Sequence, residues 1–303
     1  MKRAFTMLEL VMVIVIMGII ASIGADIIAS MYSNYLRSRT INRLEAQTEI
    51  TLEQIAKRLQ YRVKESVIAR KTGAIKALAD ITVDSSYNVL EWIGYSNESF
   101  LGTPRPGWSG FIDLDSNETN STLVGNGILK TPESNLTDAA ATMSALTDGD
   151  IDLTTGNEAA LIFKGQLFNF TDFGWGAVDN NDSTAIVQVI GNGIDRFEIS
   201  TNETGIPNEI YEQYAFVHTA YAIVPVFEAV PDLTDFNLTL RYNYQPWHNE
   251  EYTDGKSSIL AEHVSLFRFK QDESILRLKL CLHDNNETGV GEMIVICKEK
   301  VVY

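Results

Sequence analysis

One carboxylate, Glu9, interrupts an otherwise uncharged apolar segment near the N-terminus. The segment runs from Leu10 to Ala25 and, together with residues 5–9, comes to twenty-one residues, about the length of a helix that spans a bilayer core. An ionisable group within such a span costs a few kcal/mol, so Glu9 is expected to have a partner of opposite charge. The chemistry that Glu9 offers is therefore electrostatic pairing with a nearby cation.

A cut between Ala4 and Phe5 would create such a cation, because it exposes a new α-amino group beside the membrane. Glu9 of one subunit would then neutralise the amine of a neighbouring subunit. A wrong register would leave both charges unpaired in a low-dielectric medium, so the pair would fix the axial position of subunits in a helical assembly. Lys2 and Arg3 form a basic leader before the cut.

With this leader before it and the apolar run after it, the sequence AFTMLEL at residues 4–10 resembles the class III signal of type IV pilins and of the pseudopilins of type II secretion systems. The resemblance implies that a prepilin peptidase cleaves between Ala4 and Phe5 and methylates the amine of Phe5. It also implies that Glu9 guides assembly with other pilin or pseudopilin subunits through the N-terminal helix. Ala4 departs from the family's usual Gly, and the apolar segment lacks the Pro of many major pilins.

The same resemblance implies a location in the inner membrane, with a single span and a head on the periplasmic or extracellular side. After assembly the protein would belong to a cell-surface or periplasmic filament. Charge alone does not predict this topology, because basic residues lie on both sides of the span: the leader precedes it and three arginines follow it.

Two other interpretations of the N-terminus are an uncleaved signal anchor and a cleaved secretory signal. In the second, Leu10 to Ile20 is the h-region and residues 22–24 are the small-x-small cleavage site. Neither gives Glu9 a role. They lead to the alternative function of a secreted or anchored extracytoplasmic binding protein or adhesin, with a mature N-terminus near Ala25 or Asp26.

The remaining residues with catalytic or metal-binding chemistry form no recognised motif. The four histidines are scattered without metal-ligand spacing, which favours a solvated or core role for each: His218, His248, His263 and His283. Three acidic clusters, residues 113–115, 148–152 and 179–182, are dense in the oxygen ligands that Ca²⁺ prefers. None fits an EF-hand loop, so solvated turns are the default and a bound Ca²⁺ is the alternative. The sequence predicts a protein that is not an enzyme and has no cofactor.

Nine Asn-x-Ser/Thr sequons occur along the chain. Six have an acidic residue two positions earlier and resemble the extended acceptor of bacterial oligosaccharyltransferases: Asn117, Asn120, Asn135, Asn181, Asn237 and Asn286. Acidic residues are about 13% of the chain, so chance would produce about one such match. The pattern predicts glycosylation of an exposed head, against the alternative that Asn, Thr and Asp cluster in turns.

A long helix is expected to continue beyond the apolar segment. Apolar residues recur there at helical spacing: Ile41, Leu44, Leu52, Ile55, Leu59, Val63 and Val67. The pattern predicts one helix from Phe5 to Lys71 with Gly73 as its C-cap, and a coiled-coil stalk is the alternative. The predicted organisation is a leader at 1–4, a transmembrane and stem helix at 5–72 and a globular head at 73–303.

The head changes to the alternating pattern of β-strands, so the predicted fold class is α+β, with the long helix packed on an antiparallel sheet as in pilins. One further helix is predicted at Leu136 to Leu146. The predicted strands are Val89 to Tyr95, Gly110 to Leu114, Ala159 to Lys164, Ala185 to Ile190, Arg196 to Ser200, Tyr214 to Val226, Asn237 to Tyr244, His263 to Lys270, Ile275 to His283 and Glu292 to Lys298.

The two cysteines lie on the last two predicted strands. In a hairpin centred on Gly289, Cys281 faces Cys297, and such cross-strand neighbours can meet disulfide geometry. The pair also resembles the C-terminal disulfide by which many pilins tie down the end of their sheet. An exported head permits a disulfide, and two free buried thiols are the alternative.

Charge is divided unevenly along the chain, whose net charge is −16. Residues 26–76 carry ten Lys/Arg and five Asp/Glu, whereas residues 77–303 carry twelve and thirty-four. A head this acidic repels phosphate backbones, so no nucleic-acid partner is expected. The long polar loops between about residues 96 and 182 make the head larger than a major pilin needs, which favours a minor pilin or minor pseudopilin.

Overall fold

The computed structural model describes residues 6–80, 82–120, 127–176, 184–200, 210–227, 235–284 and 293–303. Within these ranges the chain begins with one long helix, α1 (Met7–Gln60), whose second half packs on a large antiparallel sheet. The fold class is therefore α+β, as the sequence predicts.

Two shorter helices follow, α2 (Asn97–Phe100) and α3 (Leu136–Thr147). Three 3₁₀ turns are formed by Lys64–Ser66, Phe170–Phe173 and Pro246–His248. The strands are β1 (Ile68–Lys71), β2 (Ala74–Ala77), β3 (Val89–Tyr95), β4 (Ile128–Lys130), β5 (Ala159–Phe163), β6 (Val187–Gly191), β7 (Arg196–Ile199), β8 (Tyr214–Val226), β9 (Phe236–Tyr242), β10 (Lys256–Asp272), β11 (Ile275–His283) and β12 (Val295–Val302).

These strands belong to one sheet with the order β12-β11-β10-β9-β8-β5-β6-β7-β4. Strand β8 is its centre, because β3 pairs along one edge of β8 while β5 and β9 pair with successive parts of the other edge. Strands β1 and β2 extend the sheet beyond β3. The C-terminal half, β9 to β12, is a meander of neighbours in sequence, and α1 lies across its last three strands.

Alternation of apolar and polar residues predicts most of these elements. The bounds of β3, β8 and β11 are those predicted, and the predicted helix α3 extends one residue further, to Thr147. The predicted strand from Gly110 to Leu114 is wrong, since only an isolated bridge between Phe111 and Gln213 forms there. Strands β2 and β4 were not predicted, because three or four residues are too few to show a period of two.

Helix α1 ends at Gln60, so the predicted continuation to Lys71 is wrong. The prediction of Gly73 as its C-cap is also wrong. Gly73 instead turns the chain between β1 and β2 with a φ of +74°, a backbone conformation that favours glycine.

The helix ends there because the backbone exchanges its helical bonds for bonds to β3. The amide of Val63 donates to the carbonyl of Ile93 (2.8 Å), and the amide of Tyr95 donates to the carbonyl of Tyr61 (2.7 Å). Val63 keeps its place in the apolar stripe of the sequence and is buried, but on extended backbone. Apolar spacing alone does not distinguish the two conformations, since both bury the same side chains.

The interior contains three apolar clusters. The largest joins the second half of α1 to the meander, with Leu52 and Ile55 packed among Leu278 and Leu280. A second cluster lies under α3 and the strands from β4 to β7. The third cluster lies around β3 and the later part of β8 and includes Trp175. The head therefore has its own core, and α1 contributes to one part of it.

Candidate functional site

The first half of α1 makes no buried contact with the rest of the described chain. No side chain from Met7 to Arg39 is buried, and Thr40 is the first that is. The exposed residues include large apolar side chains that water would solvate poorly: Leu10, Val11, Met12, Ile14, Ile16, Met17, Ile19, Ile20, Ile23, Ile27 and Ile28. An apolar surface this long needs a lipid or protein environment to cover it.

Helix α1 is long and apolar enough to cross a membrane. The apolar stretch lies at the N-terminal end of the helix, and no residue of its most apolar part is buried. This agrees with the predicted membrane span. The helix continues without a break from this stretch into the docked half, so the span and the head are joined by regular backbone.

Glu9 is held at the start of α1 by a reciprocal cap with Thr6. The hydroxyl of Thr6 accepts from the amide of Glu9 (3.4 Å), and Oε2 of Glu9 accepts from the amide (3.2 Å) and the hydroxyl (3.1 Å) of Thr6. This arrangement is a capping box, which satisfies donors that the first turn of a helix leaves unpaired. Both bonds from Thr6 reach Oε2, which leaves Oε1 directed to no described partner.

Reasoning from the sequence missed this local role of Glu9. The signal was visible as Thr-x-x-Glu at residues 6–9, directly before the apolar run. Glu9 therefore has a reason to be present that needs no second subunit, in addition to the predicted pairing. The predicted cleavage and methylation sites, Ala4 and Phe5, lie outside the described residues.

The second half of α1 is the part that positions the exposed half. Its buried side chains include Leu44, Leu52, Ile55 and Leu59 of the predicted stripe, with Thr48 between them. Thr48 satisfies its hydroxyl by donating to the carbonyl of Leu44 (2.6 Å), which allows a polar residue in the buried stripe.

Ion pairs connect the exposed side of this half to β12. Lys298 Nζ lies 3.0 Å from Glu49 Oε2, and Lys300 Nζ lies 2.6 Å from Glu53 Oε2. The hydrogen bond from Lys300 lowers the pKa of the Glu53 carboxyl. Exposed pairs contribute little to stability, so the buried stripe carries most of the docking energy.

The C-terminal end of α1 is tied to the chain terminus by Arg62. Its guanidinium donates to the carbonyls of Leu59 (2.8 Å), Tyr303 (3.4 Å) and Ser274 (3.3 Å). Burial lowers the pKa of Arg62 from its ordinary value. The residue thus caps the helix and joins it to the end of β12 and to the turn before β11.

The predicted disulfide between Cys281 and Cys297 is present. The two residues are direct partners in the register of β11 and β12. Because the bridge closes a loop of 16 residues, the chain-entropy account assigns it about 3 kcal/mol of stabilisation. The bridge holds the strand on which α1 rests.

The acidic clusters offer no shared cation site in the described residues. Asp148 pairs with Lys256, Asp150 accepts from the side-chain amide of Asn243 (2.6 Å), and Asp152 accepts from the amide of Thr154 (3.0 Å). In residues 113–115, the carboxylate of the first Asp caps the amide of the last (3.2 Å). The third cluster, residues 179–182, lies outside the described residues.

The predicted glycosylation sites differ in their surroundings. Asn117 and Asn120 lie exposed in a turn region before β4. Asn135 is the N-cap of α3, with its amide group bonded to Asp138 (2.6 Å). Asn237 lies in β9 opposite Val226 of β8. Asn181 and Asn286 lie outside the described residues.

Two of the four scattered histidines meet in space, which the sequence did not predict. His263 of β10 and His283 of β11 lie with their ring centroids 5.7 Å apart, and Asp235 lies between them. The signal was not available in the sequence because the three residues lie 20 or more positions apart and only the order of the strands brings them together.

Comparison of the chain with protein-family models, with curated proteins and with solved structures gave no match.

Proposed function

We propose that this protein is a structural subunit of a type IV pilus or a type II secretion filament, in the manner of a minor pilin or minor pseudopilin. The observation that supports this best is the division of α1 into two halves. The half from Thr40 onward is docked on the sheet, and the half before it exposes apolar side chains along its whole length. Lipid can cover this exposed half before assembly, and the equivalent helices of neighbouring subunits can cover it in the filament.

The proposed mechanism begins in the inner membrane, where the apolar half of α1 anchors the subunit and the head lies outside the cytoplasm. A prepilin peptidase then removes residues 1–4 and leaves the amine of Phe5. On assembly, Oε1 of Glu9 accepts from that amine in a neighbouring subunit while Oε2 keeps its bonds to Thr6. A shifted register separates the charges in an apolar medium, which is unfavourable by several kcal/mol.

The decisive test separates the charge of Glu9 from its capping role. Glu9→Gln keeps a residue that can complete a capping box but removes the negative charge. Thr6→Ala removes the cap but keeps the charge. We expect Glu9→Gln to lower incorporation into filaments at least 10-fold, and Thr6→Ala to incorporate at near the wild-type level. The measurement is the amount of subunit in sheared or cross-linked filaments relative to the amount in membranes.

The opposite pattern, in which Glu9→Gln assembles normally and Thr6→Ala does not, would show that Glu9 serves only to start the helix. Intact mass and N-terminal sequencing of the membrane protein provide the second criterion. A methylated Phe5 at the mature N-terminus agrees with the proposal. A mature N-terminus near Ala25 or Asp26 would instead identify an exported binding protein or adhesin.

A further inference from the structure

Three side chains with metal-ligand chemistry converge at the edge of the meander in the head. Asp235 directly precedes β9, His263 lies in β10, and His283 is the last residue of β11. His263 Nδ1 lies 3.2 Å from Asp235 Oδ2, and His283 Nε2 lies 3.3 Å from Asp235 Oδ1. In the described part of the chain, this is the one group of three or more His, Cys, Asp or Glu residues with ligand atoms within 4.8 Å of one another.

The ring of His283 is buried and has one nitrogen without a hydrogen bond. The side chain is 5% exposed, and Nε2 forms no hydrogen bond with any described residue although it lies beside Asp235. Its Nδ1 lies 3.2 Å from the carbonyl oxygen of Asp284 and donates to it, which puts the proton on Nδ1. Nε2 then presents a lone pair towards Asp235 and His263. A ligating histidine in metalloproteins is held in this way, with its other nitrogen donating to a carbonyl.

The backbone around the cluster is arranged to bring the side chains together. The pairing of β9 with β10 shifts register between Ala261 and Val264, which inserts His263 in a bulge. His263 has a φ of +55°, a conformation that few residues other than glycine adopt. Bulges change the direction of a side chain and are frequent at functional sites. Asp284, whose carbonyl holds the ring of His283, is itself held in place because its carboxylate accepts from the amide of Ile294 (2.7 Å).

The three side chains are close enough together to be ligands of one small cation. Tetrahedral bonds of about 2.0–2.1 Å, the lengths that Zn²⁺ forms with nitrogen and oxygen, put adjacent ligand atoms about 3.3 Å apart. His263 Nδ1 lies at about this distance from Asp235 Oδ2 (3.2 Å), and His283 Nε2 does so from Asp235 Oδ1 (3.3 Å). With one ligand atom taken from each residue, the three atoms lie within 4.8 Å of one another. Two imidazoles and one carboxylate suit Zn²⁺ and similar transition cations, whereas Ca²⁺ and Mg²⁺ prefer oxygen ligands throughout.

We propose that Asp235, His263 and His283 form a three-ligand site for a divalent transition-metal cation, with Zn²⁺ the preferred ion. The cluster opens onto a groove of about 480 Å³ beside α1, whose lining includes His263 and His283. The groove gives a cation a route to the site and leaves a fourth coordination position for water or for a group on another molecule. The proposal is independent of the filament function.

The test uses the full-length chain in detergent, freed of metal with a chelator and titrated with ZnCl₂ by calorimetry. His263→Ala and Asp235→Asn are the test variants, because these side chains are about one-third exposed and their replacement leaves the core intact. His248→Ala is the matched control, since His248 also has a buried Nε2 without a bond but lies outside the cluster. We expect one Zn²⁺ per wild-type and control chain, and at least 10-fold weaker binding by both test variants.

Co²⁺ provides a second measurement, because its visible absorption reports coordination by nitrogen and oxygen at low symmetry. The wild-type chain should give this spectrum, and the His263→Ala chain should lose it while keeping the wild-type circular dichroism. Absence of stoichiometric Zn²⁺ binding by the folded wild-type chain would overturn the proposal. Equal binding by the His263→Ala and Asp235→Asn variants would overturn it as well, and would leave the cluster as imidazole–carboxylate ion pairs.

Discussion

His218 shows how burial alone changes the chemistry of a residue in this protein. The side chain lies in β8 and is 4% exposed, and its Nδ1 has no hydrogen-bond partner among the residues that the structure describes. Burial lowers the pKa of His218 from 6.5 to about 4, because the protonated ring loses its hydration in the interior. The folded protein therefore keeps this imidazole neutral at pH values at which the unfolded chain protonates it.

The free energy of unfolding is expected to decrease as the pH is lowered, because of the titration of His218. Above pH 6.5 His218 is neutral in both states; between pH 6.5 and about 4 only the unfolded state binds the proton, so the free energy of unfolding decreases. The full loss is about 3 kcal/mol, reached near pH 4. Urea unfolding of wild-type and His218→Gln chains at several pH values measures it. The difference in the free energy of unfolding between the wild-type and His218→Gln chains should narrow as the pH falls from 6.5 to about 4. A constant difference from pH 7 to pH 4.5 would refute the expectation.

Other residues in the interior show what a single sequence does not reveal. Glu91 is fully buried, and it pairs with Arg70 and accepts from the hydroxyl of Tyr244 (3.2 Å). Burial raises the pKa of Glu91, and the charge of Arg70 opposes that rise. The sequence placed Glu91 and Tyr244 on predicted strands and Arg70 near the end of the predicted helix, so local patterns did not mark the three as neighbours. The Asp235–His263–His283 cluster has the same origin, since strand order, unlike local spacing, brings its members together.

Among the helices and strands, those whose partners are close in the sequence could be predicted from local sequence patterns. The meander of β9 to β12 alternates clearly, so β11, its partner β12 and the disulfide between them could be predicted. The end of α1 could not, because competition from β3 for the backbone of residues 61–63 is a tertiary effect. The same limit explains β1, which was predicted as the last turn of the helix but follows Val67, the end of the apolar stripe, and pairs with β3.

The docking of α1 on the sheet can be tested with two isoleucines that differ only in where they point. Ile55 is fully buried against the meander, whereas Ile50 is 57% exposed. Ile55→Ala is expected to lower the free energy of unfolding by about 2–5 kcal/mol through lost transfer energy and a cavity. Ile50→Ala should change it by less than about 0.5 kcal/mol.

Denaturant unfolding of the full chain in detergent, followed by tryptophan fluorescence, gives both values for the α1 docking test. The chain has Trp92 in the cluster that α1 helps to form, so its emission reports on this interface. Equal losses for Ile55→Ala and Ile50→Ala would contradict the orientation of the helix. An unchanged Ile55→Ala would show that the docked half of α1 is not held by its apolar stripe.

The whole molecule separates into an exposed apolar helix half and a head that is complete without it. The three clusters of the core include no residue before Leu44, and the described hydrogen bonds of residues before Thr40 stay within the helix. Surface charge follows the same division, since the acidic residues belong mainly to the head. The head therefore has the composition of a water-exposed domain, and α1 has that of a span joined to it.

This division predicts that a chain beginning at Arg37 will fold as the head does in the full protein. It keeps Thr40 and every later buried residue of α1, and none of the described side chains that it loses is buried. The truncated chain should stay in aqueous solution without detergent and melt within about 2 °C of the full-length chain. Circular dichroism, sedimentation and thermal unfolding measure these properties, and the full-length chain should require detergent. Aggregation of the truncated chain, or a melting temperature far below that of the full-length chain, would show that the apolar half is part of the folded head. That half would then not be available for contact with lipid or with neighbouring subunits.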